Sequence, residues 1–135
     1  MTPLISVVDD DISVRKSLDR LLRSAGLGVR LFASAEEFLS SNHAYPDCLI
    51  LDVRLPGMSG IELHKHLEKC SSNIPVIFIT AHGWDDAARA EAASDRTVAC
   101  LIKPFSGDEL LDAVHEALNW HSGQSRRESQ TEEGL

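Results

Sequence analysis

Short apolar runs alternate with helix-like segments five times along this 135-residue chain, and the alternation restricts the fold more than any other feature. Such a pattern is typical of a parallel sheet that is covered by helices on both faces. The predicted strands are Ile5 to Val8, Val29 to Phe32, Cys48 to Leu51, Val76 to Ile79 and Val98 to Ile102. The third and fourth runs contain no polar residue, as expected of interior strands that are buried on both faces.

The helices are predicted from side-chain spacing and from their starting residues. Val14, Leu18, Leu22 and Ala25 fall on one helical face, so a first helix is expected over residues 13 to 25. Three later helices begin at capping-box sequences, Ser34 with Glu37, Ser59 with Glu62 and Ser106 with Glu109, and an Ala-rich fourth helix is expected near Asp85 to Ala93.

Length and composition suit one globular domain, predicted over residues 1–121. Residues 122–135 have no aliphatic side chain before Leu135, which predicts a polar tail or linker. The three cysteines have no C-x-x-C spacing, so we expect reduced, buried thiols. The net charge of −8 argues against nucleic-acid binding by this domain. No membrane-length apolar run or signal sequence is present, and a cytoplasmic location is expected.

Polar residues follow the carboxyl ends of the predicted strands. They are Asp9, Asp10 and Asp11 after the first strand, Asp52 after the third, Thr80 after the fourth and Lys103 after the fifth. Ligands of open α/β sheets bind beyond these ends, where the strand order reverses, and in the order 2-1-3-4-5 that point lies between strands one and three. Asp9, Asp10 and Asp52 are therefore expected to converge there, while Asp11 serves equally well as a helix cap.

Three carboxylates in one crevice repel each other unless a cation or a proton intervenes, and oxygen ligands of this kind favour Mg²⁺ or Mn²⁺. Mg²⁺ usually takes one or two protein carboxylates together with phosphate oxygens, which suits a phosphoryl ligand. Lys103 and Thr80 can bind phosphoryl oxygens, which leaves Asp52 as the nucleophile.

Four sequence motifs together resemble the receiver domains of bacterial two-component response regulators, over about residues 4 to 120. They are Val8-Asp9-Asp10, Leu51-Asp52-Val53-Arg54-Leu55-Pro56-Gly57-Met58-Ser59-Gly60, Ile79-Thr80-Ala81 and Lys103-Pro104-Phe105. The segments beginning at Val14, Phe32 and Thr80 are similar to those of the nitrogen-fixation-type regulators, which carry LuxR-type output domains.

The resemblance implies a flavodoxin-like (βα)5 doubly wound fold with strand order 2-1-3-4-5. It also implies that Asp52 accepts a phosphoryl group from a sensor histidine kinase, while Mg²⁺ is held by Asp9, Asp10, Asp52 and the main-chain carbonyl of Arg54. Thr80 and Lys103 would hold the phosphoryl oxygens, and the peptide before Pro104 would be cis. Such a domain is a phosphoacceptor that catalyses its own phosphotransfer and slow autodephosphorylation.

The resemblance further implies a switching surface around the fourth helix, fifth strand and fifth helix. This surface allows a homodimer, and a DNA-binding output domain beyond residue 135 is a second implication, although single-domain receivers also exist. Cys100 stands where such receivers often have Tyr or Phe, so a weaker conformational relay is expected.

Three other functions fit the sequence less well. Phosphohydrolases with an aspartyl-phosphate intermediate typically have an acid two residues after the nucleophile, where this chain has Arg54. Nucleotide-binding α/β proteins need a glycine-rich phosphate loop, which is not found here. A phosphorylation-independent interaction module is favoured by Cys100 but not by the intact set of acids.

Overall fold

The computed structural model describes residues 2–41, 46–70, 73–81 and 96–119. Its strands are β1 (Leu4–Val8), β2 (Gly28–Phe32), β3 (Cys48–Asp52), β4 (Val76–Thr80) and β5 (Thr97–Ile102). Its helices are α1 (Ile12–Ser24), α2 (Ala35–Ser40), α3 (Gly60–Lys69) and a C-terminal helix over residues 107–119. The predicted fourth helix near Asp85 to Ala93 and the predicted tail over 122–135 lie outside the described residues.

All five strands are parallel and lie in the order β2-β1-β3-β4-β5, so the predicted fold and strand order are confirmed. Every residue of β3 and β4 is buried, as their continuous apolar sequences predict. Strand β5 contains a bulge, because Val76 pairs with Thr97 whereas Ile77 pairs with Ala99, which leaves Val98 without a partner residue on β4.

The core is divided between the two faces of the sheet, since alternate residues of a strand point to opposite sides. Leu49 and Leu51 of β3 pack in one cluster with residues of α2 and α3. Ile50 packs in the other cluster, with residues of α1 and of the C-terminal helix. This two-sided burial is the doubly wound arrangement that the alternating sequence predicts.

The helix starts follow the predicted caps with one difference. Ser59 and Glu62 form the complete reciprocal capping box of α3. The Ser34 side chain accepts the predicted bond from the amide of Glu37, but the Glu37 carboxylate accepts from the Ala33 amide at 3.4 Å. The first turn of α2 therefore has the forward cap, with the return bond displaced by one residue.

The cysteines are reduced, yet the prediction that all three are buried is wrong. Cys48 is buried in β3, whereas Cys70 at the end of α3 and Cys100 in β5 are exposed. No helix among the described residues is both long and apolar enough to cross a membrane.

A histidine is buried inside the cluster formed by α3 and the sheet. His64 is 1% exposed, and its ring packs edge-on against Phe78 with centroids 5.3 Å apart. Its Nε2 lies 3.5 Å from Glu68, whose other oxygen lies 3.5 Å from Arg96, the residue before β5. Burial lowers the pKa of His64; the Glu68 charge opposes this effect and the Arg96 charge adds to it.

We expect His64 to make the free energy of unfolding depend on pH. The unfolded histidine titrates near pH 6.5 and the folded one at lower pH, so below about 6.5 the unfolded state binds more protons and stability falls. Denaturant unfolding between about pH 7.5 and about pH 5 should show a shallower loss of stability in His64→Leu than in the wild type. His66→Leu, which removes an exposed histidine of the same helix, is the control, and equal slopes in all three proteins would contradict the expectation.

Gly60 is expected to be intolerant of substitution because α3 begins directly against the end of β3. A Cβ at Gly60 would overlap the carbonyl oxygen of Asp52 and lie 3.1 Å from the Cα of Val53. Gly60→Ala should therefore lower the free energy of unfolding by about 1–3 kcal/mol. The control is Gly107→Ala, whose Cβ would meet the flexible Leu21 side chain and should be tolerated.

Candidate metal and phosphoacceptor site

The predicted site residues lie at the carboxyl edge of the sheet. Asp9 follows β1, and Asp52 is the last residue of the neighbouring strand β3. Thr80 ends β4, and Lys103 follows β5. The strand order changes direction between β1 and β3, which is the usual ligand-binding position in sheets of this kind.

Three carboxylates converge at this edge. One oxygen from each of Asp9, Asp10 and Asp52 lies within 4.8 Å of the other two. Asp9 is fully buried and Asp52 is 6% exposed, whereas Asp10 faces solvent. The cluster therefore opens to solvent on the side of Asp10.

Lys103 follows β5, which lies on the other side of β3 from β1, and its side chain extends to this cluster. Its Nζ donates hydrogen bonds to Asp9 at 2.9 Å and to Asp52 at 3.3 Å. The Lys103 amide donates to the carbonyl of Thr80 at 2.8 Å, which fixes the backbone at the end of β5. The Lys103–Pro104 peptide is cis.

Backbone amides hold the two buried carboxylates in place. The amide of Asp11 donates to Oδ1 of Asp9 at 2.8 Å, and the amide of Arg54 donates to Oδ1 of Asp52 at 3.0 Å. The side chain of Asp11 caps α1 by accepting from the Ser13 amide, so Asp11 has the helix-cap role that was one of its two expected roles.

Arg15 also contacts the site, although it is not among the residues that the sequence predicts there. Its Nη1 donates to the carbonyl oxygen of Asp9 at 2.6 Å. The available signal was its position one helical turn after Asp11, on the first turn of α1. That spacing alone does not reveal a bond to the preceding loop.

Burial and the charges in the cluster shift the pKa values of Asp52 and Lys103. Burial and the negative charge of Asp9 raise the pKa of Asp52, although the Arg54 amide and Lys103 act in the opposite direction. Burial by itself would lower the pKa of Lys103, but its bond to Asp9 and the charges of Asp52 and Asp9 outweigh burial and raise it. The raised pKa of Asp52 indicates that its anionic form is not fully compensated.

This charge balance fits a divalent cation. Three carboxylates are close together, and the Lys103 ammonium contacts two of them. A hard cation with oxygen ligands would relieve the remaining repulsion, and the exposed Asp10 leaves a path to solvent. Asp9, Asp10 and Asp52 could therefore hold a metal ion.

Thr80 and Cys100 occupy different surroundings. Thr80 is buried at the end of β4, one residue after Ile79, the residue that pairs with Asp52. Cys100 is exposed on β5 and pairs with Phe78. The side chain of Arg54 is exposed, and the assignment of its carbonyl as a metal ligand stays a prediction, as do the roles of Thr80 and Lys103 toward a phosphoryl group.

Comparison with known proteins places this geometry in a family. The model of the response regulator receiver domain matches residues 5–115. Nodulation protein W of Bradyrhizobium diazoefficiens is 47% identical over 130 residues, which are 94% of this chain and 55% of that protein. Transcriptional regulatory protein FixJ of the same species is 41% identical over 115 residues, 84% of this chain and 56% of that protein.

The fold comparison agrees with the sequence comparison. The crystal structure of FixJ-N superposes with a TM-score of 0.78 at 36% identity, covering 88% of this chain and 95% of that one. The chain spans about half the length of the two curated relatives. The resemblance to nitrogen-fixation-type regulators is thereby confirmed, and the chain belongs to the response regulator receiver domain family of two-component signalling.

Proposed function

We propose that this chain accepts a phosphoryl group on Asp52 in a reaction that requires Mg²⁺, or Mn²⁺ in its place. Phosphorylation of an aspartate is general in the receiver family. The observation that carries the assignment is the position of Asp52, which lies at the carboxyl end of the central strand within 4.8 Å of two further carboxylates and 3.3 Å from the Lys103 ammonium.

The surroundings favour Asp52 over the other two acids as the acceptor. Asp9 is fully buried, and both of its oxygens already accept short hydrogen bonds, from the Asp11 amide and from Lys103. Asp52 keeps a small exposed area and a longer bond to Lys103, so its Oδ2 is easier to reach and to release. Asp10 is a weaker candidate because it faces solvent, and the contacts of Lys103 are with Asp9 and Asp52.

The metal would be held by the carboxylates of Asp9, Asp10 and Asp52 and by the main-chain carbonyl of Arg54. When bound, a divalent ion neutralises charge on the phosphoryl oxygens and on the acceptor carboxylate. Lys103 donates from Nζ to a phosphoryl oxygen after its bond to Asp52 is given up, and the Thr80 hydroxyl donates to a second oxygen. Movement of Thr80 toward that oxygen would start the switch, which the small Cys100 side chain would transmit weakly.

Membership of the receiver family supports a partner and a domain organisation for this chain. The phosphoryl donor is the phosphohistidine of a sensor histidine kinase. The receiver comprises residues 1–121, and residues 122–135 form a polar tail or linker. The protein acts in the cytoplasm. FixJ is a transcriptional regulatory protein, and the residues that match this chain are 56% of its length, which supports a DNA-binding output domain beyond residue 135. A homodimer would form through the surface around β5 and the C-terminal helix.

Asp52→Asn is expected to abolish phosphorylation because the amide is a far weaker nucleophile than the carboxylate. Incubation with acetyl phosphate and Mg²⁺ should add one acid-labile phosphoryl group to the wild type and none to the variant, as read by intact-mass spectrometry. A chelator should prevent labelling of the wild type. Labelling of Asp52→Asn to the wild-type extent would place the acceptor elsewhere.

Asp9→Asn and Asp10→Asn are each expected to weaken Mg²⁺ binding by about tenfold or more, since each removes a charged ligand. Asp11→Asn removes the same charge from the neighbouring position, and Asn still caps α1, so it should change the affinity by less than about twofold. Calorimetric titration with Mg²⁺ measures all four proteins. Equal affinities in the wild type and the two site variants would show that the acid pair binds no metal.

A further inference from the structure

The carboxylate of Glu36 joins helix α2 to the loop between β3 and α3, residues 53–59. Its Oε2 accepts a hydrogen bond from the amide of Met58 at 2.9 Å, across 22 residues of sequence. Glu36 is exposed and does not belong to the acid cluster of Asp9, Asp10 and Asp52. Its bond is to the backbone of the loop that leads away from the phosphoacceptor.

Gly57 shows that the loop is shaped around this carboxylate. Its φ of +72° is a conformation that L side chains rarely adopt. A Cβ at Gly57 would also lie 2.6 Å from Oε2 of Glu36. The glycine therefore permits both the turn and the close approach of the Glu36 side chain.

The same loop is fixed at both of its ends by groups of the site and of α3. Near its start, the Arg54 amide donates to Asp52, and at its end Ser59 forms the capping box with Glu62. The bond from Met58 to Glu36 adds a fixed point one residue before Ser59, so residues 55–57 lie between the anchored Arg54 amide and the anchored Met58 amide. It also lowers the pKa of Glu36, so the acceptor is the carboxylate at neutral pH.

We propose that Glu36 is a positioning residue of the metal and phosphoacceptor site, acting through the 53–59 loop that carries the Arg54 carbonyl. This role rests on the proposed function, because it concerns the loop carbonyl assigned to the metal. Loss of the tether leaves Asp9, Asp10 and Asp52 in place but allows the Arg54 carbonyl to move away from the metal position. The consequence is weaker Mg²⁺ binding with an intact fold.

The test compares Glu36→Ala, Glu36→Gln and the matched control Glu37→Ala. Glu37 is in the same turn of α2 and has the same charge, but its side chain bonds to the Ala33 amide. We expect Glu36→Ala to weaken Mg²⁺ binding about threefold to tenfold, while Glu37→Ala stays within about twofold of the wild type. Glu36→Gln keeps an oxygen acceptor and should restore part of the affinity.

Two further readouts separate positioning from loss of stability. Phosphorylation by acetyl phosphate should be slower in Glu36→Ala at limiting Mg²⁺ and should approach the wild-type rate at saturating Mg²⁺. Amide exchange at Met58 should accelerate in Glu36→Ala and not in Glu37→Ala. Gly57→Ala should lower the free energy of unfolding less in the Glu36→Ala background than in the wild type, because the overlap with Oε2 is then absent.

The outcomes distinguish this inference from the proposed function. If the wild type binds Mg²⁺ and Glu36→Ala binds it as tightly as Glu37→Ala does, Glu36 has no positioning role, whatever the exchange at Met58 shows. If the wild type itself binds no Mg²⁺, the proposed function fails, and the role of Glu36 fails with it.

Discussion

The contact of one ammonium group with two buried carboxylates is the interaction on which the candidate site depends. Asp9 and Asp52 lie at the ends of the neighbouring strands β1 and β3, and Lys103, which follows β5, donates hydrogen bonds to both. Two carboxylates with so little exposure would strongly favour protonation of one of them if no cation were present. The Lys103 charge opposes the rise in the pKa of Asp52 that burial and the charge of Asp9 cause, and it does so from a residue 51 positions away from Asp52 in the sequence.

The arrangement also explains why the site residues are scattered along the chain. Each of the parallel strands β1, β3, β4 and β5 delivers its last or next residue to the same edge of the sheet. Strands β1, β3 and β4 are mostly apolar and buried, so they fix the positions of the site residues at their ends. The loops that follow them supply hydrogen bonds, as the Asp11 and Arg54 amides do for the two buried carboxylates.

The parts that could be predicted from the sequence are those that depend on regular periodicity. Continuous apolar runs identified β3 and β4, and the acids placed after β1 and β3 indicated a shared crevice. The contacts of Arg15 and Glu36 could not be predicted, since each joins a helix to a loop whose path has no periodic signal. Burial of Cys70 and Cys100 was mispredicted because cysteine is usually buried, whereas these two lie at a helix end and on an edge strand.

The bulge in β5 has a consequence for variation in chain length. Val98 is the extra residue between the paired positions Thr97 and Ala99. Pairing is regular from Ala99 to Ile102, which pairs with Thr80, and the Lys103 amide then donates to the Thr80 carbonyl. A residue can therefore be gained or lost at the start of this strand while the end of the strand keeps its alignment. Insertions and deletions in the segment before β5 are in this way decoupled from the position of the lysine, so that segment can diverge in length among relatives without displacing the charge on which the site depends.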